Sequence, residues 1–168
     1  MYTIEEYDKQ KSRVLKYVLY KKRSKQEVKN KFYNDVEENM LEDIICELEE
    51  NGYINDNNYI ERAVNEFIAL NNLSIKEIKY KLIAKGIPNS LIEDYINDKI
   101  EKLEEYEITS AKNIIVKKQN QMDEETIIQF LVKKGYKTSN IREAISRLSD
   151  EEDRKSTRLN SSHLSRSR

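Results

Sequence analysis

Ser74–Ile96 reads SIKEIKYKLIAKGIPNSLIEDYI, and its order of caps, apolar residues and breakers decides the fold. Ser74 and Glu77 stand at the spacing of a capping box, in which each side chain accepts from the other's backbone N–H at a helix start. Ile75, Ile78, Leu82 and Ile83 follow at i, i+3, i+7 and i+8, one apolar stripe of a helix. Lys85-Gly86 ends it, since glycine enters the left-handed conformation without a Cβ clash. Ile87 precedes Pro88 and is steered away from helix, while Pro88 suits the first turn of the next one. Leu91, Ile92, Tyr95 and Ile96 restart the stripe, which is expected to run on through Ile100 and Leu103.

This helix–turn–helix unit recurs on both sides. Ser24-Lys-Gln-Glu27 is a second capping box, and Asp123 is a cap for the helix of Ile127, Ile128, Leu131 and Val132. Val28, Ile78 and Ile127 share a slot, as do Phe32, Leu82 and Leu131. With one residue deleted at Asn34-Asp35, Val36, Ile87 and Tyr136 align, followed by Leu41, Ile92 and Ile141, then Ile45, Ile96 and Ile145. A period of about 50 residues implies modules stacked on their neighbours. The expected fold is all-α, an elongated array of three tandem three-helix modules. Residues 1–8 form a lead-in, 9–54 the first module, 55–104 the second and 105–150 the third; 151–168 is a disordered tail. Asp56 is expected to cap the first helix of the second module, and Cys46, beside the stripe of Met40, Leu41, Ile44, Ile45 and Leu48, to be a buried structural thiol.

Composition agrees. Only 3 Gly and 1 Pro leave little room for hairpins, and 36% charged against 38% hydrophobic residues favours slim helices over one large core. One cysteine excludes a disulfide framework and fits a reducing cytosol, so a cytoplasmic protein is expected. No apolar run approaches the ~20 residues of a membrane span, and the opening residues lack a signal-peptide pattern. Arg154–Arg168, RKSTRLNSSHLSRSR, is Ser/Arg-rich, holds the only histidine, His163, and resembles a translated cloning adaptor; it is set aside as non-native. Removing its five basic residues takes the net charge from −1 to −6.

Charge is segregated within that total. Lys9–Lys31 holds ten basic residues against Glu27 alone, whereas Asp35–Glu50 holds eight acids and no base. Lys76, Lys79, Lys81 and Lys85 occupy the central capped helix, and Lys133, Lys134 and Lys137 repeat the basic turn. One reading is solvated faces that aid solubility and stacking; the other is a discontinuous basic surface for a long anionic partner. The contact set of the second reading is Lys21, Lys22, Arg23, Lys25, Lys29, Lys76, Lys79, Lys85, Lys133 and Lys134. A helix-turn-helix protein docked in the major groove of duplex DNA is the alternative. It would press Glu42, Asp43, Glu47, Glu93 and Asp94 against phosphates that supply much of such binding, so it is disfavoured.

KYVLYKKRSKQEVKNKF (16–32), ELEENGYINDNNYI (47–60) and IKYKLIAKGIPNSLIEDYI (78–96), in that order and spacing, resemble the RecX family, small helical modulators of RecA recombinase; the match spans about Lys9 to Leu148. The chain departs from the family pattern at Asn57-Asn58, where many members carry arginine, and at the neutral loop Leu70–Leu73, which is often basic. Longer relatives have extensions at both ends, so the sequence fits a fragment. The resemblance implies a monomer that lies in the groove of the RecA–single-stranded-DNA filament and inhibits its ATPase and strand exchange, with direct DNA contact left open.

Nothing in the residues favours catalysis. Outside the tail there is no histidine for acid–base or metal chemistry. Gly52, Gly86 and Gly135 each end a helix and form no phosphate loop. Glu37-Glu38 and Glu104-Glu105 read as helix termini or linkers, and no cofactor is implied. Tyr59, Tyr95 and Tyr136 occupy stripe or link positions; Tyr17, Tyr20, Tyr33 and Tyr80 are left open as stacking residues.

Overall fold

The computed structural model describes the backbone of residues 2–166 and the side chains of residues 2–158. The side chain of His163 lies outside the described residues, and Ser167 and Arg168 lie outside them altogether. Nine helices and no strand occur among the described residues: α1 (Ile4–Tyr20), α2 (Lys25–Phe32), α3 (Glu38–Glu50), α4 (Asp56–Leu70), α5 (Ile75–Ala84), α6 (Asn89–Asp98), α7 (Ile100–Lys118), α8 (Glu124–Lys134) and α9 (Thr138–Arg166). They divide into two compact units, Met1–Glu66 with Lys79–Asp98 and Phe67–Ile78 with Lys99–Arg168. The boundaries fall inside α4 and α5, so residues of the expected middle module are shared between the units.

The first unit is built on the apolar stripes of α1, α2 and α3. Val14, Val18, Val28, Phe32, Ile44 and Leu48 are buried together, and Tyr17 meets Phe32 edge to face. Ser24 and Glu27 form the anticipated capping box. The lead-in, however, is helical and anchored. Thr3 and Glu6 make a capping box of their own, so α1 starts at Ile4. The Tyr7 hydroxyl donates to Glu47 at 2.5 Å, Lys11 Nζ reaches the same carboxylate at 2.6 Å, and the Tyr2 hydroxyl donates to Asp43. Lys11 and Tyr7 hold the Glu47 carboxyl below its ordinary range.

In the second unit α7 is the central element. Ile108, Ala111 and Ile114 pack with Ile127 and Leu131 of α8 and Ile141 of α9. Asp123 caps α8 by accepting from Thr126 N at 3.0 Å, and Gly135 closes it with φ +98°. The stripe of α6 does not run through Leu103. Lys99 leaves the helical region at φ −107°, ψ 18°, and α7 starts afresh with Leu103 and Tyr106 buried. No Gly or Pro marks this break.

Other expectations also change. Asn55, not Asp56, caps α4, its Oδ1 accepting from Asn58 N at 3.1 Å. Cys46 is exposed, because two residues along a helix from Ile44 and two before Leu48 is the face opposite their stripe. Ile83 and Val132 are exposed although they extend the stripes, which are one residue narrower than the pattern suggested. Finally, α9 continues through the tail to Arg166, since no Gly or Pro after Gly135 stops a helix.

Two joints, one in each unit, share a single geometry. The Ser24 hydroxyl accepts from Glu27 N at 3.1 Å and donates to the carbonyl of Lys85 at 2.7 Å. The Ser74 hydroxyl accepts from Glu77 N at 3.0 Å and donates to the carbonyl of Lys134 at 2.7 Å. A carboxylate also reaches the first N–H of each capped helix: Asp56 accepts from Lys25 N at 2.9 Å, and Glu107 from Ile75 N at 2.8 Å. The glycine after each lysine must be bare, because a Cβ on Gly86 would lie 2.3 Å from Gln26 Cβ and one on Gly135 2.9 Å from Lys76 Cβ.

Gly52 and Gly86 share φ +81°, yet nothing lies within 4 Å of a Cβ placed on Gly52. Gly52→Ala is therefore expected to cost only backbone strain, about 1 kcal/mol. Gly86→Ala should add an overpacking cost of about 1–3 kcal/mol. Urea unfolding followed by far-ultraviolet circular dichroism checks this, and equal losses would show that Gln26 does not constrain the joint.

Candidate functional site

The basic residues gather where the joints are. In the first unit Ser24 holds the Lys85 carbonyl within the run Lys21–Lys25, so the turn after α5 and the start of α2 come together. Lys21, Lys22 and Lys85 are exposed. The Arg23 guanidinium lies 4.2 Å from the centre of the Tyr17 ring, with its Nε buried and without a hydrogen-bond partner. Lys25 Nζ is 3.1 Å from Glu49. In the second unit Ser74 holds the Lys134 carbonyl beside α5, and the Lys76 side chain lies against Gly135. Lys134 Nζ is 3.6 Å from Glu77 and 5.7 Å from the centre of the Phe130 ring, while Lys133 is exposed.

Lys29 and Lys79 stand apart from these turns. Lys29 lines a groove of about 360 Å³ with Tyr33, Glu38, Leu41, Glu42 and Ile45, and Lys79 is ion-paired with Glu93. Of the open tyrosines, Tyr17 is packed between Phe32 and Arg23, whereas Tyr20, Tyr33 and Tyr80 are exposed. Among the described residues no group of three or more His, Cys, Asp or Glu could hold a metal ion, and no helix is long and apolar enough to cross a membrane.

The acids of the joints escaped the sequence reading. Asp56 and Glu107 lie 31 and 32 residues beyond the N–H groups they accept from, a matched spacing that only the repeat register could have revealed. They differ in burial. Glu107 is 1% exposed and also accepts from Lys137 N at 2.7 Å and Asn140 Nδ2 at 3.1 Å, so its charge rests on three donors. Asp56 is half-buried, and desolvation pushes its carboxyl above the usual range against the pull of the Lys25 N–H.

Among the described residues the chain is an all-helical protein jointed at capped helix starts, with basic residues at each joint. No family model matches it. It is 30% identical over 145 residues to the regulatory protein RecX of Staphylococcus carnosus (strain TM300), covering 83% of this chain and 54% of that one. To RecX of Clostridioides difficile (strain 630) it is 27% identical over 149 residues, covering 86% and 70%. The crystal structure of RecX from Lactobacillus salivarius superposes with a TM-score of 0.74 at 28% identity, over 88% of this chain and 99% of that one. A second RecX crystal structure gives 0.72 at 26% identity, over 83% and 73%. The chain belongs to the RecX family of regulatory proteins. It spans about half the length, or less, of the first curated relatives it matches, 54%, 38% and 36%.

Glu107→Ala would orphan three donors, one buried and two part-buried, and a loss of about 2–4 kcal/mol is expected. Asp56→Ala removes one bond from a half-desolvated carboxylate and should cost about 1 kcal/mol. Thermal unfolding of both variants at neutral pH tests the order, and an Asp56 variant as damaged as the Glu107 one would contradict it.

Proposed function

We propose that the chain, acting as a cytoplasmic monomer, binds the groove of the RecA filament on single-stranded DNA. Bound there it inhibits recombinase ATPase and strand exchange without chemistry of its own. Membership of a family of regulatory proteins supports a regulatory role. The observation that carries the finer reading is the repeated joint, which sets a basic turn beside a basic capped helix once in each unit. We read α1–α3, α4–α6 and α7–α9 as three modules whose two joints present basic edges to a polymer that offers phosphate and acidic protein surface in register. Several weak contacts on linked modules gain from effective concentration, so the contact set works collectively. Duplex DNA is a poorer partner, because Glu42, Asp43 and Asp94 are exposed on α3 and α6, the helices that would enter a groove.

The full chain is expected to inhibit the single-stranded-DNA-dependent ATPase of RecA in a dose-dependent manner. Changing any one of the nine lysines or the arginine to alanine should move the inhibitory concentration by no more than about threefold. Reversing Lys21, Lys22, Arg23, Lys76 and Lys85 to glutamate together should abolish inhibition at physiological salt. No inhibition by the parent chain would defeat the proposal, and undiminished potency in the fivefold variant would remove the contact set alone.

A further inference from the structure

Nine residues after the caps Ser24, Ser74 and Asp123 come Tyr33, Ile83 and Val132. The residue before each, Phe32, Leu82 or Leu131, is buried. The three themselves are 68%, 42% and 49% exposed. Single exposed apolar residues are ordinary. The same register, left apolar and exposed just after α2 and on α5 and α8, is not a scatter.

The surroundings say what such a slot can take. Tyr33 lines a groove together with Leu41 and Ile45, with Lys29 one turn back and the acids Glu38 and Glu42. At Ile83 the equivalent positions are Lys79 and Glu93, which are ion-paired. Each of these two slots is thus an apolar spot with one positive neighbour and at least one negative one. A nucleic-acid strand fits poorly: Glu42 and Glu93 repel phosphate, and Ile83 and Val132 have no aromatic face for a base to stack on. An apolar protein side chain flanked by its own acid and base complements both neighbours.

We infer that Tyr33, Ile83 and Val132 are a repeated set of apolar contacts to protein, one per module, each receiving an apolar side chain from a successive subunit of a protein polymer. This rests on the filament reading and divides its labour: the joints' lysines meet phosphate, and these slots meet the recombinase subunits.

The test is co-sedimentation of the full chain carrying Tyr33→Ser, Ile83→Ser and Val132→Ser with RecA filaments on poly(dT), and with poly(dT) alone, after circular dichroism has confirmed the parent helicity. Filament affinity should fall at least about tenfold while retention by bare poly(dT) stays at the parent level. A triple variant that binds filaments like the parent overturns the inference and leaves the filament reading standing. Loss in equal measure on bare poly(dT) also overturns it, by assigning the slots to nucleic acid. A parent chain that filaments do not retain sinks the filament reading and this inference with it. Should the triple variant lose helicity, Ile83→Thr with Val132→Thr, Tyr33 intact, is the replacement, with an expected loss of about threefold and the same outcomes deciding.

Discussion

The structure depends on a serine hydroxyl that makes two hydrogen bonds at once. A hydroxyl both accepts and donates. Ser24 and Ser74 accept from the third N–H of their own helices and donate to a lysine carbonyl 61 and 60 residues away. That carbonyl belongs to the last turn of another helix and would otherwise need a partner of its own. One buried atom thereby satisfies an orphan donor at one helix start and an orphan acceptor at another helix end. A carboxylate caps equally well but cannot donate, and Asp123 accepts from Thr126 N only in that first sense.

The bond also fixes register. It has value only if the lysine turn lies flush on the capped helix, and flushness requires glycine next in sequence, because any Cβ would overlap Gln26 or crowd Lys76. The same close approach brings Asp56 or Glu107 to the first N–H of the capped helix. Hydroxyl, glycine and carboxylate are therefore not three independent preferences. A shift of one residue would lose all of them together, which makes the joint cooperative and its spacing recognisable.

Caps and core slots were legible in the sequence because they are local: Ser24, Ser74 and Asp123 cap as their spacing implies, and Val28, Ile78 and Leu131 are buried. What was not legible depends on contacts or on width. Thr3 and Glu6 have capping-box spacing, but their value comes from Tyr2 and Tyr7 reaching α3. The break at Lys99 has no Gly or Pro to signal it, and Leu103 is buried in the helix that starts beyond it. Ile83 and Val132 lie one position beyond the arc their helices bury, whereas Cys46 lies on the face opposite Ile44 and Leu48. The basic edge was visible as composition, but its collection at the joints required Lys85 to meet Ser24 and Lys134 to meet Ser74.

Several of those basic groups already have acidic neighbours: Lys25 with Glu49, Lys79 with Glu93, Lys134 with Glu77. Such pairs would not by themselves keep these lysines from the phosphate partner proposed for them. All are partly exposed, and a pair of this kind contributes about 0–1 kcal/mol, less than a lysine gains by moving to a phosphate with release of counterions. The acids meanwhile have a use in the free chain. They hold long side chains near the surface they leave from, and they stop a patch of like charges from repelling itself. An exchange of glutamate for phosphate also exposes the glutamate as the lysine departs, so a partner that offers base beside phosphate is favoured over phosphate alone. A protein-coated nucleic acid supplies both on one surface, and bare DNA supplies one.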